Sequence, residues 1–333
     1  MAGAEFTDDS FRNFEPVDHC WFLTGPTASG KTSIGLALAE RLDAEIISLD
    51  SMAVYVGMDI GTAKPSPADC RRVPHYLIDL VTPDQEYSLS QYVAAAHAAI
   101  ETIRAKGRQV LFVGGTPLYL KSLLRGVYPG PPADWEFRRQ IEAELQEVDV
   151  HALHTRLQQV DPLSAARLHP HDKRRIIRAL EVHRLTGQPL SHQQVHFDDA
   201  HPERGSRVVT LSWPREHLHA RIEARVEQMF AAGWLEEVRG LLDRYGTLGR
   251  TASQAVGYRE IIAHLLGQLD LSALGEQVKT RTRRFARRQD TWFRSLSECR
   301  RFDPSDAQSP SAIAERIVNL GWGDGVMGYY FNL

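Results

Sequence analysis

The feature that most constrains this chain is an octapeptide, Gly25-Pro26-Thr27-Ala28-Ser29-Gly30-Lys31-Thr32, which fits the pattern G-x-x-x-x-G-K-[ST]. A short apolar run, Trp21 to Thr24, precedes it, and an Ala/Leu-rich stretch over about Thr32 to Leu42 follows. The order reads as strand, glycine loop, helix. Glycines let the backbone turn its N–H groups inward around phosphate oxygens, and the helix N-terminus adds its positive end. Lys31 supplies a full charge, and the Thr32 hydroxyl can ligate Mg2+. The context predicts a phosphate or pyrophosphate site, but the loop does not name the ligand.

Further strands are expected at Glu45–Leu49, Tyr76–Leu80 and Gln109–Val113, with a helix over Leu89–Lys106. Strands alternating with helices imply an α/β fold, a P-loop NTPase-like parallel sheet flanked by helices. Ligands of such sheets sit beyond the carboxyl ends of the strands. After Leu124 the pattern changes: Tyr128-Pro-Gly-Pro-Pro breaks regular structure, and everything from Trp135 to about Gln194 reads as helix. Arg207–Leu211 then reads as another strand. The expected organisation is a leader over 1–19 without order, a core of 20–129 and 205–303, an all-helical insertion over 130–204, and a C-terminal helix and tail over 304–333. The C-terminal part of the core is expected to be helical, ending in a long basic helix over Leu274–Leu296.

Most phosphate loops of this type serve nucleoside triphosphates, with a metal-supporting Asp at the end of a neighbouring apolar strand. Here Val110-Leu-Phe-Val113 ends in Gly114-Gly115-Thr116 instead, and the carboxylate arrives as Asp50 after Ile46-Ile-Ser-Leu49. An Asp there can support Mg2+, act as a base, or cap the turn through Ser51 and Met52.

Several classes are excluded. No apolar run is long enough to cross a bilayer. The first nineteen residues carry five acids against Arg12 and resemble neither a secretory signal nor a transit peptide, so the expected location is the cytoplasm. Cys20, Cys70 and Cys299 are scattered, which suits reduced thiols rather than a disulfide framework or zinc knuckle. Net charge is −3, but basic residues concentrate in two places. Lys279–Arg301 holds nine of them against Asp290 and Glu298, and Lys173–Arg184 holds five against Glu181.

Several segments together resemble the tRNA dimethylallyltransferases, also called tRNA isopentenyltransferases. They are GPTASGKT at Gly25–Thr32, DSMAVYVGMDIGTAKP at Asp50–Pro65, VGGTPLYLK at Val113–Lys121, His169–Val182, QAVGYRE at Gln254–Glu260 and RRQDTWFR at Arg287–Arg294. The resemblance covers about residues 20 to 300, with the motifs in order. It implies transfer of a dimethylallyl group from dimethylallyl diphosphate to N6 of adenosine 37, beside the tRNA anticodon, with Mg2+ as cofactor. On that reading the loop with Lys31 and Thr32 stabilises a departing diphosphate, and Asp50 accepts the proton of the adenine amine. Thr116 matches a position lining the reaction channel; as a sequence feature it equally suits an N-cap for a helix over Leu118–Leu124. Arg221 and Arg225, four apart on a helix expected over Arg215–Ala231, match arginines that reach the diphosphate.

The same resemblance implies tRNA contacts at Asp50-Ser51-Met52-Ala53, at Arg138, and at Arg174-Arg175-Ile176-Ile177-Arg178 within the insertion. Others are implied at Gln254-Ala255-Val256-Gly257-Tyr258-Arg259 and Arg287-Arg288-Gln289-Asp290-Thr291-Trp292-Phe293-Arg294. A basic helix with aromatics between its charges suits RNA, since phosphates meet Arg and unstacked bases meet rings. The target base must leave the stack to reach a buried carboxylate. The expected partners are a tRNA anticodon stem-loop and dimethylallyl diphosphate, with no membrane and the chain acting as a monomer. Two positions depart from the usual bacterial pattern: Ala53 stands where Gln is common and Val56 where a basic residue is. The absence of any His after His264 or Cys after Cys299 removes the C-terminal zinc finger of many eukaryotic relatives, so the resemblance is to the bacterial type. Three rival readings use parts of the same motifs: a small-molecule kinase, an adenylate isopentenyltransferase acting on free nucleotide, and a nucleotide-dependent RNA-binding switch. None gives both the Gly-Gly-Thr segment and RRQDTWFR a task.

Overall fold

The computed structural model describes residues 13–147, 149–194, 197, 199–307 and 309–321. They divide into two compact units. The larger, Val17–Leu124 with the chain from Ala200 onward, is built on a six-stranded sheet. Its strands are β1 (Trp21–Thr24), β2 (Ala44–Ser48), β3 (His75–Tyr76), β4 (Gln109–Val113), β5 (Arg207–Leu211) and β6 (Cys299–Phe302), in the order β3-β2-β4-β1-β5-β6. Every pairing is parallel. The helix Lys31–Leu42 and a C-terminal helix, Pro310–Val318, cover one face. Alternation sends Trp21 and Leu23 into a cluster with Leu36, Leu38, Ile313 and Ile317. Phe22 and Phe112 point the other way and stack, with ring centroids 4.7 Å apart. β1 is buried along its whole length, as a central parallel strand must be.

Two elements differ from expectation. The strand anticipated at Tyr76–Leu80 is only His75–Tyr76, because Leu77 (φ 61°) and Asp79 (φ 54°) are left-handed. The chain is diverted there to bond the segment after Asp50: Asp79 N–H donates to Ala53 O at 3.1 Å and Leu80 N–H to Val54 O at 2.7 Å. β6 was hidden in the basic run, since Arg300 and Arg301 are exposed on an edge strand where charge is tolerated. Of the leader, residues 1–12 lie outside the described residues, as does the tail from 322. Residues 13–19 are ordered: Phe14 bridges Val127, and Val17 is buried.

The smaller unit, Arg125–Asp199 with residues 13–16, is helical, as the sequence pattern implied. Phe137, Ile141, Leu153, Leu157, Ile176, Ile177 and Leu180 form its apolar centre. Beside them the fully buried Glu181 accepts two bonds from Arg138 at 2.7 Å each, one from Arg178 at 2.5 Å and the Asp134 N–H at 2.8 Å. A buried carboxylate is tolerable only when paired and bonded in this way.

Candidate active site

The carboxyl ends of β1, β2, β4 and β5 each open into a site loop, as the parallel arrangement requires. After β1, Gly25 (φ 141°), Ala28 (φ 63°) and Gly30 (φ 90°) take positive φ, which bends the chain into the phosphate-loop turn before the helix begins at Lys31. Its carbonyls are tied by side chains of the motif itself and of later segments. Lys31 Nζ donates to Gly25 O (2.9 Å) and Pro26 O (2.7 Å), Trp213 Nε1 to Ser29 O (2.9 Å), and Arg221 Nε to Ala28 O (2.8 Å). Arg221 also stacks over the Trp213 ring, 4.5 Å from its centroid. With these carbonyls engaged, the loop N–H groups other than those of Thr27, bonded to Gln289, and Ser29, bonded to Pro26 O, are the ones placed for an anion.

The charge around this loop is concentrated. Enclosure of the Lys31 ammonium, reinforced by the neighbouring Arg225, pushes its pKa down to about 7 against the pull of Asp50. Arg225 is likewise lowered by burial, with Asp50 opposing and Arg221 adding to the shift. Two cations and one carboxylate therefore act on one another within the site, and an anionic ligand would relieve the mutual repulsion of the cations. Thr32 is exposed on the first helical turn, where its hydroxyl offers a hard oxygen donor. Among the described residues no group of three or more His, Cys, Asp or Glu could cage a metal ion. A divalent cation bound mainly through phosphate oxygens needs only one or two protein ligands, and the Thr32 hydroxyl is a donor of that kind.

Asp50 is half-buried, and its Oδ1 accepts the Met52 N–H at 2.8 Å. The turn-capping reading is thus realised through one oxygen, and the second remains for chemistry. The Gly114-Gly115-Thr116 turn brackets this carboxylate. Thr116 N–H donates to Leu49 O (3.1 Å) and Thr116 Oγ1 accepts the Ser51 N–H (3.1 Å), a use that neither reading of Thr116 anticipated. Gly114 is obligatory there, because a Cβ would lie 2.2 Å from Leu49 O.

The residues matched to RNA contacts fall into two groups. Arg259, Arg287 and Arg288 are exposed in the larger unit, and Arg259 and Arg288 line one cleft with Gln254, Val256, Arg281 and Arg284. Arg174 and Arg175 are exposed in the helical unit. Arg294 is paired to Asp290 at 2.7 Å but remains exposed, as does Thr291, while Trp292 is half-buried. By contrast Ala53, Ile176, Ile177, Ala255, Gly257, Tyr258, Gln289 and Phe293 are buried. Those eight positions offer RNA almost no accessible surface. Arg138 and Arg178 spend their charge on Glu181.

Sequence reasoning missed three supports of the site. Trp213 holds the phosphate loop, and Glu237 accepts the N–H groups of Asp59 (3.0 Å) and Ile60 (2.6 Å) and the Tyr258 hydroxyl (2.5 Å). Gln289, deep in the basic helix, bonds the loops at Thr27 and Gly115. Only the lone uncharged polar residue within RRQDTWFR's helical inner face could have signalled the last.

The model of the family described as IPP transferase matches residues 53–296. A tRNA dimethylallyltransferase of Rhodopirellula baltica is 47% identical over 322 residues, covering 94% of this chain and 96% of the relative. One of Pelotomaculum thermopropionicum is 43% identical, covering 89% and 94%. Among solved structures, the full-length tRNA isopentenylpyrophosphate transferase of Bacillus halodurans superposes with a TM-score of 0.66 at 37% identity, covering 90% of this chain and 95% of that one. A eukaryotic dimethylallyltransferase acting on tRNA gives a TM-score of 0.75 at 26% identity, covering 90% and 77%. With phosphate loop, opposed carboxylate and sheet order all in place, this chain belongs to the IPP transferase family.

Proposed function

We propose that this protein transfers the dimethylallyl group of dimethylallyl diphosphate to N6 of adenosine 37 in the tRNA anticodon loop, leaving N6-(dimethylallyl)adenosine and diphosphate. The observation that carries the reading is the electrostatic coupling of two cations, Lys31 of the phosphate loop and Arg225, to the Asp50 carboxylate. The diphosphate binds the loop amides, with Lys31 and Arg225 on its oxygens. As the allylic C–O bond breaks, its electron pair passes to the diphosphate, where these cations stabilise the growing charge. The N6 lone pair forms the new C–N bond, and the proton leaving N6 passes to Asp50. Asp50 is suited to this because the Met52 amide holds its Oδ1 and the Thr116–Ser51 bond fixes the adjoining backbone. A divalent cation, expected to be Mg2+, would be held through Thr32 and supplies further neutralisation of the leaving group when bound.

Adenosine 37 is turned out of its stack toward Asp50, while the exposed arginines of the two basic segments hold the RNA backbone. The protein works in the cytoplasm as a monomer. Among the described residues no helix is long and apolar enough to cross a membrane.

The test is labelled dimethylallyl diphosphate with Mg2+ offered to unmodified tRNA, to free AMP, and, in parallel, ATP offered with candidate alcohols. Label should enter tRNA alone. In Asp50→Ala the rate should fall about 10²–10⁴-fold, the usual contribution of a positioned base, with tRNA affinity retained. Label in AMP, or phosphate transfer from ATP, would replace this reading with one of its rivals.

A further inference from the structure

The helix Leu271–Ser295 has an outer face, with Arg284, Arg287 and Arg288 exposed, and an inner one through Ala286, Gln289 and Phe293. Gln289 is 5% exposed, and both ends of its carboxamide are engaged. Oε1 accepts the Thr27 N–H at 2.9 Å, and Nε2 donates to Gly115 O at 2.6 Å. Thr27 belongs to the diphosphate cradle. Gly115 precedes Thr116, whose bonds to Leu49 and Ser51 bracket Asp50. The two loops approach closely at this point: a Cβ on Gly115 would lie 3.2 Å from Gly25 O and 2.7 Å from Gln289 Nε2.

We propose that Gln289 is a positioning residue for prenyl transfer, which sets the separation between the diphosphate cradle and Asp50 and ties it to the seating of the RNA-facing helix. It rests on the reading that donor occupies the cradle and RNA this helix. One side chain bonds an N–H of the donor loop and a carbonyl of the acceptor loop, so a shift of the helix moves both. Reacting atoms must be held at about 3–3.5 Å, and a misplacement of about 1 Å can cost roughly 10²-fold in rate. A carboxamide suits the task because it is acceptor at one end and donor at the other. A glutamate of the same shape accepts from Thr27 but, when ionised, turns an oxygen on the Gly115 carbonyl. Protonated, it regains a donor and mimics glutamine.

The experiment measures single-turnover transfer to an anticodon stem-loop at saturating donor in wild type, Q289E and Q289M, with RNA affinity and thermal melting alongside. Both variants should bind RNA within about threefold of wild type and transfer at least tenfold more slowly, as expected for lost alignment. The ratio of Q289E to wild-type rate should climb as pH falls and the glutamate protonates, a recovery that Q289M cannot show. If Q289M fails to fold, this pH ratio decides alone. A flat ratio overturns the proposal, as does a folded Q289M within threefold of wild type or a defect confined to KM for RNA. A wild type that transfers nothing would instead defeat the functional reading.

Discussion

Lys31 is half-buried, bonded to two carbonyls of its own loop, and held near a pKa of about 7 by enclosure and by Arg225. In the free protein it is largely neutral above that value. A diphosphate favours the ammonium, so its pKa is higher in the complex, and between the two values the complex holds one more proton. Donor affinity should therefore fall as pH rises above about 7, by up to tenfold per unit. Calorimetry at pH 8 in buffers of different ionisation enthalpy should register uptake of about one proton in wild type and less in Lys31→Arg, whose guanidinium stays charged. Equal uptake in both would remove Lys31 from the linkage. At this scale the octapeptide is legible because its glycines and Lys31 are contiguous, whereas the position of Asp50 leaves three roles open and the base role comes from the family resemblance. Gln289 was not, since its partners lie at residues 27 and 115 and only the fold brings them together.

At the scale of elements, periodicity announced the long helices and the apolar strands, while β3 and β6 depended on neighbours. Leu77 and Asp79 abandon extended geometry to pair with the segment after Ala53, and β6 gains strand form only beside β5. The helical unit shows a second kind of concealment. Arg138 and Arg178 look like RNA ligands in the sequence, yet they close on the buried Glu181 and join the helices Trp135–Glu147 and Lys173–Thr186. Removing a buried partner strands the other charges and typically costs about 3–5 kcal/mol; both arginines here are partly solvated, which favours the low end. Glu181→Ala should thus lower amide-exchange protection in those two helices by roughly 100-fold, corresponding to about 3 kcal/mol. Unchanged protection would mean that apolar packing alone holds this unit.

For the whole molecule, a net charge of −3 conceals a basic helix and a basic insertion segment. If RNA is held through phosphates by the exposed arginines, affinity should decline steeply with salt. Arg287→Ala and Arg288→Ala should each weaken stem-loop binding and reduce the log–log salt slope by about one unit per lost contact, with donor affinity unchanged. An unaltered slope in both would assign these residues no phosphate. Prenyl transfer on this reading depends on geometry at a single point, where a departing diphosphate faces a proton acceptor across the reacting carbon. A crystal structure with an unreactive thio-analogue of dimethylallyl diphosphate and an anticodon stem-loop tests it most directly. It should show the phosphates on the loop amides beside Lys31 and Arg225, with the everted adenine amine within hydrogen-bond reach of Asp50. Phosphates bound away from that loop, or an adenine facing away from Asp50, would contradict it.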